Sequence, residues 1–70
     1  MNDLKDGGVA AKIEAHTTLI SPDTLAGYLG LSRKSIYARV KSGTLPAIRL
    51  GGSIRFDPAT TAKWLRARAA

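Results

Sequence analysis

The chain contains no cysteine, so neither a disulfide nor a thiolate metal site can reinforce its fold. Its one histidine, His16, has no cysteine or acidic cluster beside it, and reads as a surface residue rather than a ligand or base. No carboxylates are clustered for acid–base work and no glycine-rich phosphate loop is present, so an enzyme lacks its parts. No metal or other cofactor is expected. Apolar runs are only a few residues long, which excludes a membrane-spanning helix, and the N-terminus lacks the apolar core of a signal peptide. These absences suit a reducing, cytoplasmic setting. Aromatic residues make up only 6% of the chain, too few for a stacking platform on single-stranded nucleic acid. With 70 residues there is room for one small domain, which buries about 60% of its unfolded surface.

What the chain does have is positive charge. Eleven Lys and Arg stand against five Asp and Glu, for a net charge of +6. Residues 1–31 hold Lys5 and Lys12 against Asp3, Asp6, Glu14 and Asp23. Residues 32–70 hold nine basic side chains against Asp57 alone, so the excess lies there. A basic half of this kind points to a polyanion, most often nucleic acid, although solubility alone also accounts for a basic chain.

Local signals divide the chain. Residues 1–17, "MNDLKDGGVAAKIEAHT", have no sustained periodicity and read as a largely disordered arm with at most a fraying turn at Val9–Ala15. Residues 18–70 form the domain. Ser21-Pro22-Asp23 starts a helix with a capping serine, a proline at the first helical position and a carboxylate in the first turn. That helix carries Leu25, Ala26, Tyr28 and Leu29 and stops at Gly30. Ser32 caps a second helix, about Arg33 to Ser42, closing at Gly43. Two short helices joined by a tight glycine-containing turn form the helix-turn-helix signature. Asp57-Pro58 repeats the cap-and-proline device and opens a last helix, roughly Pro58 to Ala69.

On the second helix, Ile36, Tyr37 and Val40 cluster on one side and can pack on the first helix. The opposite side shows Lys34, Ser35, Ala38 and Ser42, flanked by Arg39 and Lys41, with Arg33, Lys34 and Ser35 in the first turn. The N-terminal part of such a helix is what meets base edges in the major groove, where Arg and Lys donate to guanine and Ser serves either pair. An ordinary solvated basic face is the plainer alternative. Turn, second cap and hairpin together favour duplex DNA.

The hairpin "RLGGSIRF" sets a register problem. A two-residue Gly51-Gly52 loop would place Ile48 and Arg55 on one face. A three-residue loop of Gly51, Gly52 and Ser53, with Gly52 a candidate for positive φ, gathers Ile48, Leu50, Ile54 and Phe56 on one apolar face. It also sets Arg49 opposite Arg55 on the outer face, where the pair could follow the phosphate backbone or enter a minor groove. Tyr28 is expected to pack where the first helix meets this wing. Tyr37 either packs likewise or reaches a phosphate, and Trp64 with Leu65 anchors the last helix on the core.

The pattern "A.YLG.S...IY..V.SG.LPA.R.GG..RF", preceded by an aliphatic pair and Ser-Pro and followed by Trp-Leu, covers Leu19 to Leu65, about two thirds of the chain. It resembles the excisionase-type, MerR-like and AlpA-like winged helix-turn-helix domains. The resemblance implies a mainly α fold with a small β-hairpin, in the order helix-turn-helix-wing-helix. It implies a recognition helix beginning at Ser32, with Arg33, Lys34, Ser35 and Arg39 at positions that commonly face DNA; Tyr37, Ala38 and Lys41 complete the candidate DNA-binding set on this helix. It implies a wing carrying Arg49, Gly51, Gly52, Ser53 and Arg55. Ala38 departs from the family pattern, where a longer polar residue is common. The resemblance further implies an accessory protein of recombination, in a bacterial cell or phage-infected host. Such a protein binds and bends duplex DNA near an attachment site, associates with copies of itself there, and directs an integrase toward excision. A chain that ends one helix past the wing fits that role. A small AlpA-like transcriptional regulator is the nearest alternative, and a basic module for protein or RNA a more distant one.

Overall fold

The computed structural model describes residues 8–68, and everything below concerns these. The elements run α1 (Gly8–Glu14), α2 (Pro22–Leu29), α3 (Arg33–Lys41), β1 (Ile48–Leu50), β2 (Ser53–Arg55) and α4 (Pro58–Arg68). This is the expected small, mainly helical fold with one antiparallel hairpin, a winged helix-turn-helix.

Each helix after the first starts where a side chain can accept a free backbone N–H. Ser21 Oγ accepts from the Thr24 amide at 3.2 Å, Ser32 Oγ from the Ser35 amide at 3.1 Å, and Asp57 Oδ2 from the Thr60 amide at 2.8 Å. Gly30 ends α2 in the left-handed region at φ 66°, which costs glycine nothing and lets the chain turn directly toward Ser32.

The arm expected over residues 1–17 needs correction for its described part. Residues 1–7 lie outside the described residues. From Gly8 the chain forms α1, which lies against α4 and α2 with Ala10 and Ile13 fully buried. A helix of seven residues has no stability of its own, but Val9, Ala10 and Ile13 make a short apolar stripe that the core accepts. Burying the Ile13 side chain contributes about 1.5–3 kcal/mol toward the cost of ordering the segment. Glu14 adds an exposed ion pair with Arg66 at 2.9 Å.

Ile13 joins Ile20, Leu25, Ala26, Ile36, Leu45, Phe56 and Ala62 in one core. Ile20 and Phe56 exchange both backbone hydrogen bonds, at 2.8 and 2.9 Å, tying the end of the hairpin to the entry of α2. Trp64 is half-buried and donates from Nε1 to the Thr44 carbonyl at 2.8 Å, so α4 grips the turn that follows α3. Tyr28 is half-buried against the core. Its hydroxyl sits 2.7 Å from His16 Nε2 with the two rings edge to face, which ties α2 to the segment after α1.

The hairpin also departs from expectation. The register is Ile48 with Arg55, Arg49 with Ile54 and Leu50 with Ser53, closed by Gly51 and Gly52 alone. Gly51 has φ 63° and Gly52 is not in the positive region, the pattern of a II′ turn, which matches the twist of the strands. The three-residue loop assumed that a core would claim both apolar residues of β1. Instead Ile48 and Leu50 are 37% and 52% exposed, so burial does not dictate the register and the turn does. Arg49 and Arg55 therefore lie on opposite faces, and no like-charge pair faces across the strands.

Candidate nucleic-acid interface

Of the nine residues in α3, only Ile36 is fully buried, with Val40 half-buried beside it. Arg33, Lys34, Tyr37, Ala38 and Lys41 are all exposed, and at about 100° per residue they share one face with Lys41 and Lys34 near its middle. Tyr37 is thus corrected from the packing side to the open one, at 42% exposure. Its ring sits next to Arg33, one turn on. Arg39 is exposed on the flank, and its carbonyl is taken by the amides of Thr44 and Leu45.

Electrostatics sharpens the picture. The first turn of α3 carries no acidic residue, yet holds Arg33 and Lys34. Cations at a helix N-terminus oppose its dipole, by some tenths of a kcal/mol each, so helix stability does not account for them. Arg39 and Lys41, in the last turn, are where the dipole favours cations and so say less. Among the described residues, Lys34, Arg39, Lys41, Arg49 and Arg55 form no ion pair. Exposed ammonium and guanidinium groups without carboxylates beside them are suited to a row of phosphates.

The expected reader Ser35 is partly spoken for. It is half-buried, its amide donates to Ser32 Oγ, and its hydroxyl accepts from the same atom at 3.1 Å. Ser32 is exposed but acts first as the cap. Arg33 is engaged too: Nε donates to Asp23 Oδ1 at 2.6 Å and Nη2 to Oδ2 at 2.8 Å. Those hydrogen bonds, and then the nearby negative charge, raise its pKa further and keep it cationic. Sequence reading missed this pair, since ten residues separate the partners and only the turn between the helices brings them together. Two acidic-to-basic first-turn residues in consecutive helices were the available signal.

Helix and wing meet at one place. A shallow concavity is lined by Ser21, Pro22 and Asp23 from the start of α2, Arg33 and Tyr37 from α3, and Arg55 from β2. Arg55 is half-buried there, with Nη1 donating to the carbonyl of Ile54 at 2.8 Å. Arg49 is exposed on the other face of the ribbon, and Gly51, Gly52 and Ser53 form its exposed tip. The structure thus brings Arg55, Arg33 and Tyr37 together and leaves Arg49 apart. A second concavity, under β1, is lined by Pro46, Ala47, Ile48, Asp57 and Thr60 and offers no cation. Among the described residues no three His, Cys, Asp or Glu side chains are grouped to hold a metal ion, and no helix is long and apolar enough to cross a membrane.

A family model described as a helix-turn-helix domain matches residues 19–69. Neither curated proteins nor solved structures produced a match.

Proposed function

The chain belongs to the family of helix-turn-helix domains, a DNA-binding class, and from that premise we propose that it is an accessory factor of site-specific recombination. In this reading α3 enters the major groove, the wing follows the adjacent backbone, and the bound protein bends DNA beside an attachment site so that a recombinase favours excision. The observation that carries DNA contact to these elements is the set of cations on α3 and the hairpin with no acidic partner among the described residues. Lys34 is the principal base reader, placed mid-face in the first turn. Arg55 and Lys41 hold phosphates on either side of it, and Tyr37 supplies a further hydroxyl. The excisionase role rests on the sequence pattern from Leu19 to Leu65, in which Tyr28-Leu29-Gly30, Ser42-Gly43, Leu45-Pro46 and Arg55-Phe56 are its most specific pieces.

Titration against the DNA flanking its own gene, random duplex and single-stranded RNA tests the binding step. Circular-permutation assays of bending and an excision assay with a recombinase encoded nearby test the role. Tight binding to one duplex, bending and stimulated excision support the proposal. Specific binding at a promoter without any effect on excision would assign the chain to transcriptional control instead. Equal affinity for RNA and duplex would end the DNA-reading role of α3.

A further inference from the structure

Asp23 and Arg33 pair in a geometry that does not serve folding. Their side chains are 65% and 63% exposed, and an ion pair in that much solvent contributes little to stability. Arg33 also occupies a helix N-terminus, where the dipole disfavours a cation. What the pair does fix is direction. A guanidinium has five N–H donors in a rigid plane. The carboxylate takes the Nε and Nη2 side of that plane, at 2.6 and 2.8 Å. The end of the fork, one N–H each from Nη1 and Nη2, is not used by Asp23 and is spaced for two acceptors side by side.

Two partners on duplex DNA present such acceptors: a phosphate, and the O6/N7 edge of guanine. Charge separates them. With a carboxylate in direct contact, the Arg33 fork belongs to a nearly neutral pair, which attracts a phosphate weakly and repels it on the Asp23 side. A guanine edge is uncharged and needs only two aligned donors. Lys41 and the neighbouring Arg55, which lines the same concavity as Asp23, form no ion pair among the described residues and are the better phosphate ligands.

We propose that Asp23 is a positioning residue for base recognition: it clamps the side of the Arg33 guanidinium so that the free end reads one guanine in the major groove. This rests on the reading of α3 as the recognition helix. Specificity at that base pair then depends on a residue of α2 that makes no base contact of its own.

The test is selection of duplexes from a randomised library by the full chain, by Asp23→Asn, by Arg33→Ala and by the double variant. The wild type should enrich a motif containing a guanine that Asp23→Asn and Arg33→Ala both lose, the rest of the motif persisting. On the wild-type site Asp23→Asn should bind about five- to twentyfold more weakly, within the range of one good bidentate base contact. Random duplex should change less than about twofold, because no phosphate contact is lost. The double variant should be no worse than Arg33→Ala, and melting curves of all four should coincide. A guanine that persists in Asp23→Asn overturns the proposal. So does stronger binding of Asp23→Asn to selected and random duplex alike with steeper salt dependence, which would make Arg33 a phosphate ligand held back by Asp23. If the wild type selects no motif, the reading of α3 itself fails and this one falls with it.

Discussion

Salt is the most direct probe of the proposed interface, because the number of phosphate contacts sets the slope of log K against log[salt] at about −0.9 per contact on duplex DNA. The structure supplies the count. Lys34, Arg39, Lys41, Arg49 and Arg55 are the cations of α3 and the hairpin without an acidic partner among the described residues. Lys34 is assigned to a base edge, Arg39 lies on the flank of α3 and Arg49 on the far face of the ribbon, so two to four phosphate contacts are expected and a slope of about −1.8 to −3.6. Between 50 and 200 mM salt that predicts a loss of affinity of roughly 10- to 150-fold. Lys41→Ala should flatten the slope by about 1 and weaken selected and random duplex equally, as a phosphate contact does. Lys34→Ala should instead cost about 1–3 kcal/mol on the selected site and far less on random DNA. Fluorescence anisotropy of a labelled duplex, repeated over the salt series, measures all of this. A wild-type slope shallower than about −1 would refute the phosphate-contact argument, because a surface with this many free cations cannot bind duplex without releasing counterions.

Arg55→Ala should weaken duplex binding more than Arg49→Ala, since only Arg55 shares the concavity with Arg33 and Tyr37; equal losses in anisotropy would show that the wing engages DNA with both faces. Ile13→Ala should cost about 2–5 kcal/mol in chemical denaturation, a large part of the stability of so small a domain, while affinity per folded molecule holds; an unchanged midpoint would mean α1 is not part of the core. Gly51→Val should destabilise the hairpin by at least about 1–2 kcal/mol because of its left-handed backbone, whereas Gly52→Ala, with nothing within 4 Å of the added carbon, should melt as the wild type does. Acid should destabilise the domain in a defined window. The Asp57 carboxyl is held low first by the Thr60 amide and Glu14 first by hydrogen bonding to Arg66, so their contribution is complete above the ordinary carboxylate range of about 4 and disappears as pH falls through the lowered native values. Melting curves of wild type and Asp57→Asn across that window should converge at its acid end.

Legibility from sequence followed the range of the interaction. Ser21, Ser32, Asp57, Pro22, Pro58 and Gly30 act within a turn of their own position, so helix starts and the stop of α2 could be read from neighbouring letters. Ile36 and Leu25 could be placed in the core because each sits at the right spacing in a short helix. The failures were decided at a distance. The seven residues of α1, beginning at Gly8, pack against α2 and α4, and where the sequence suggested at most a fraying turn nothing local announces that docking. The hairpin register was argued from an apolar face that needed burial, but the tip projects beyond the core and its turn geometry prevails. Arg33 looked free because its partner lies on another helix. For the proposed interface, side-chain pairing alters which of the expected residues are available: Ser35 is drawn into the cap, Arg33 onto Asp23, and Tyr37 out into solvent.

The bond from Trp64 to the Thr44 carbonyl has a practical consequence. This is the only tryptophan in the chain, and its indole touches the backbone just after α3 while the Arg68 guanidinium lies 4.5 Å above its ring. Indole emission is sensitive to both a hydrogen bond at Nε1 and a nearby cation. The Thr44 amide in turn bonds the Arg39 carbonyl at 2.9 Å, so any tilt of the helix end reaches the chromophore through two bonds. The domain therefore carries a built-in optical gauge at the junction between α3 and α4. Docking, unfolding and the seating of α4 can each be followed in stopped flow by their own emission change, with no dye attached to a surface that must stay clear for DNA.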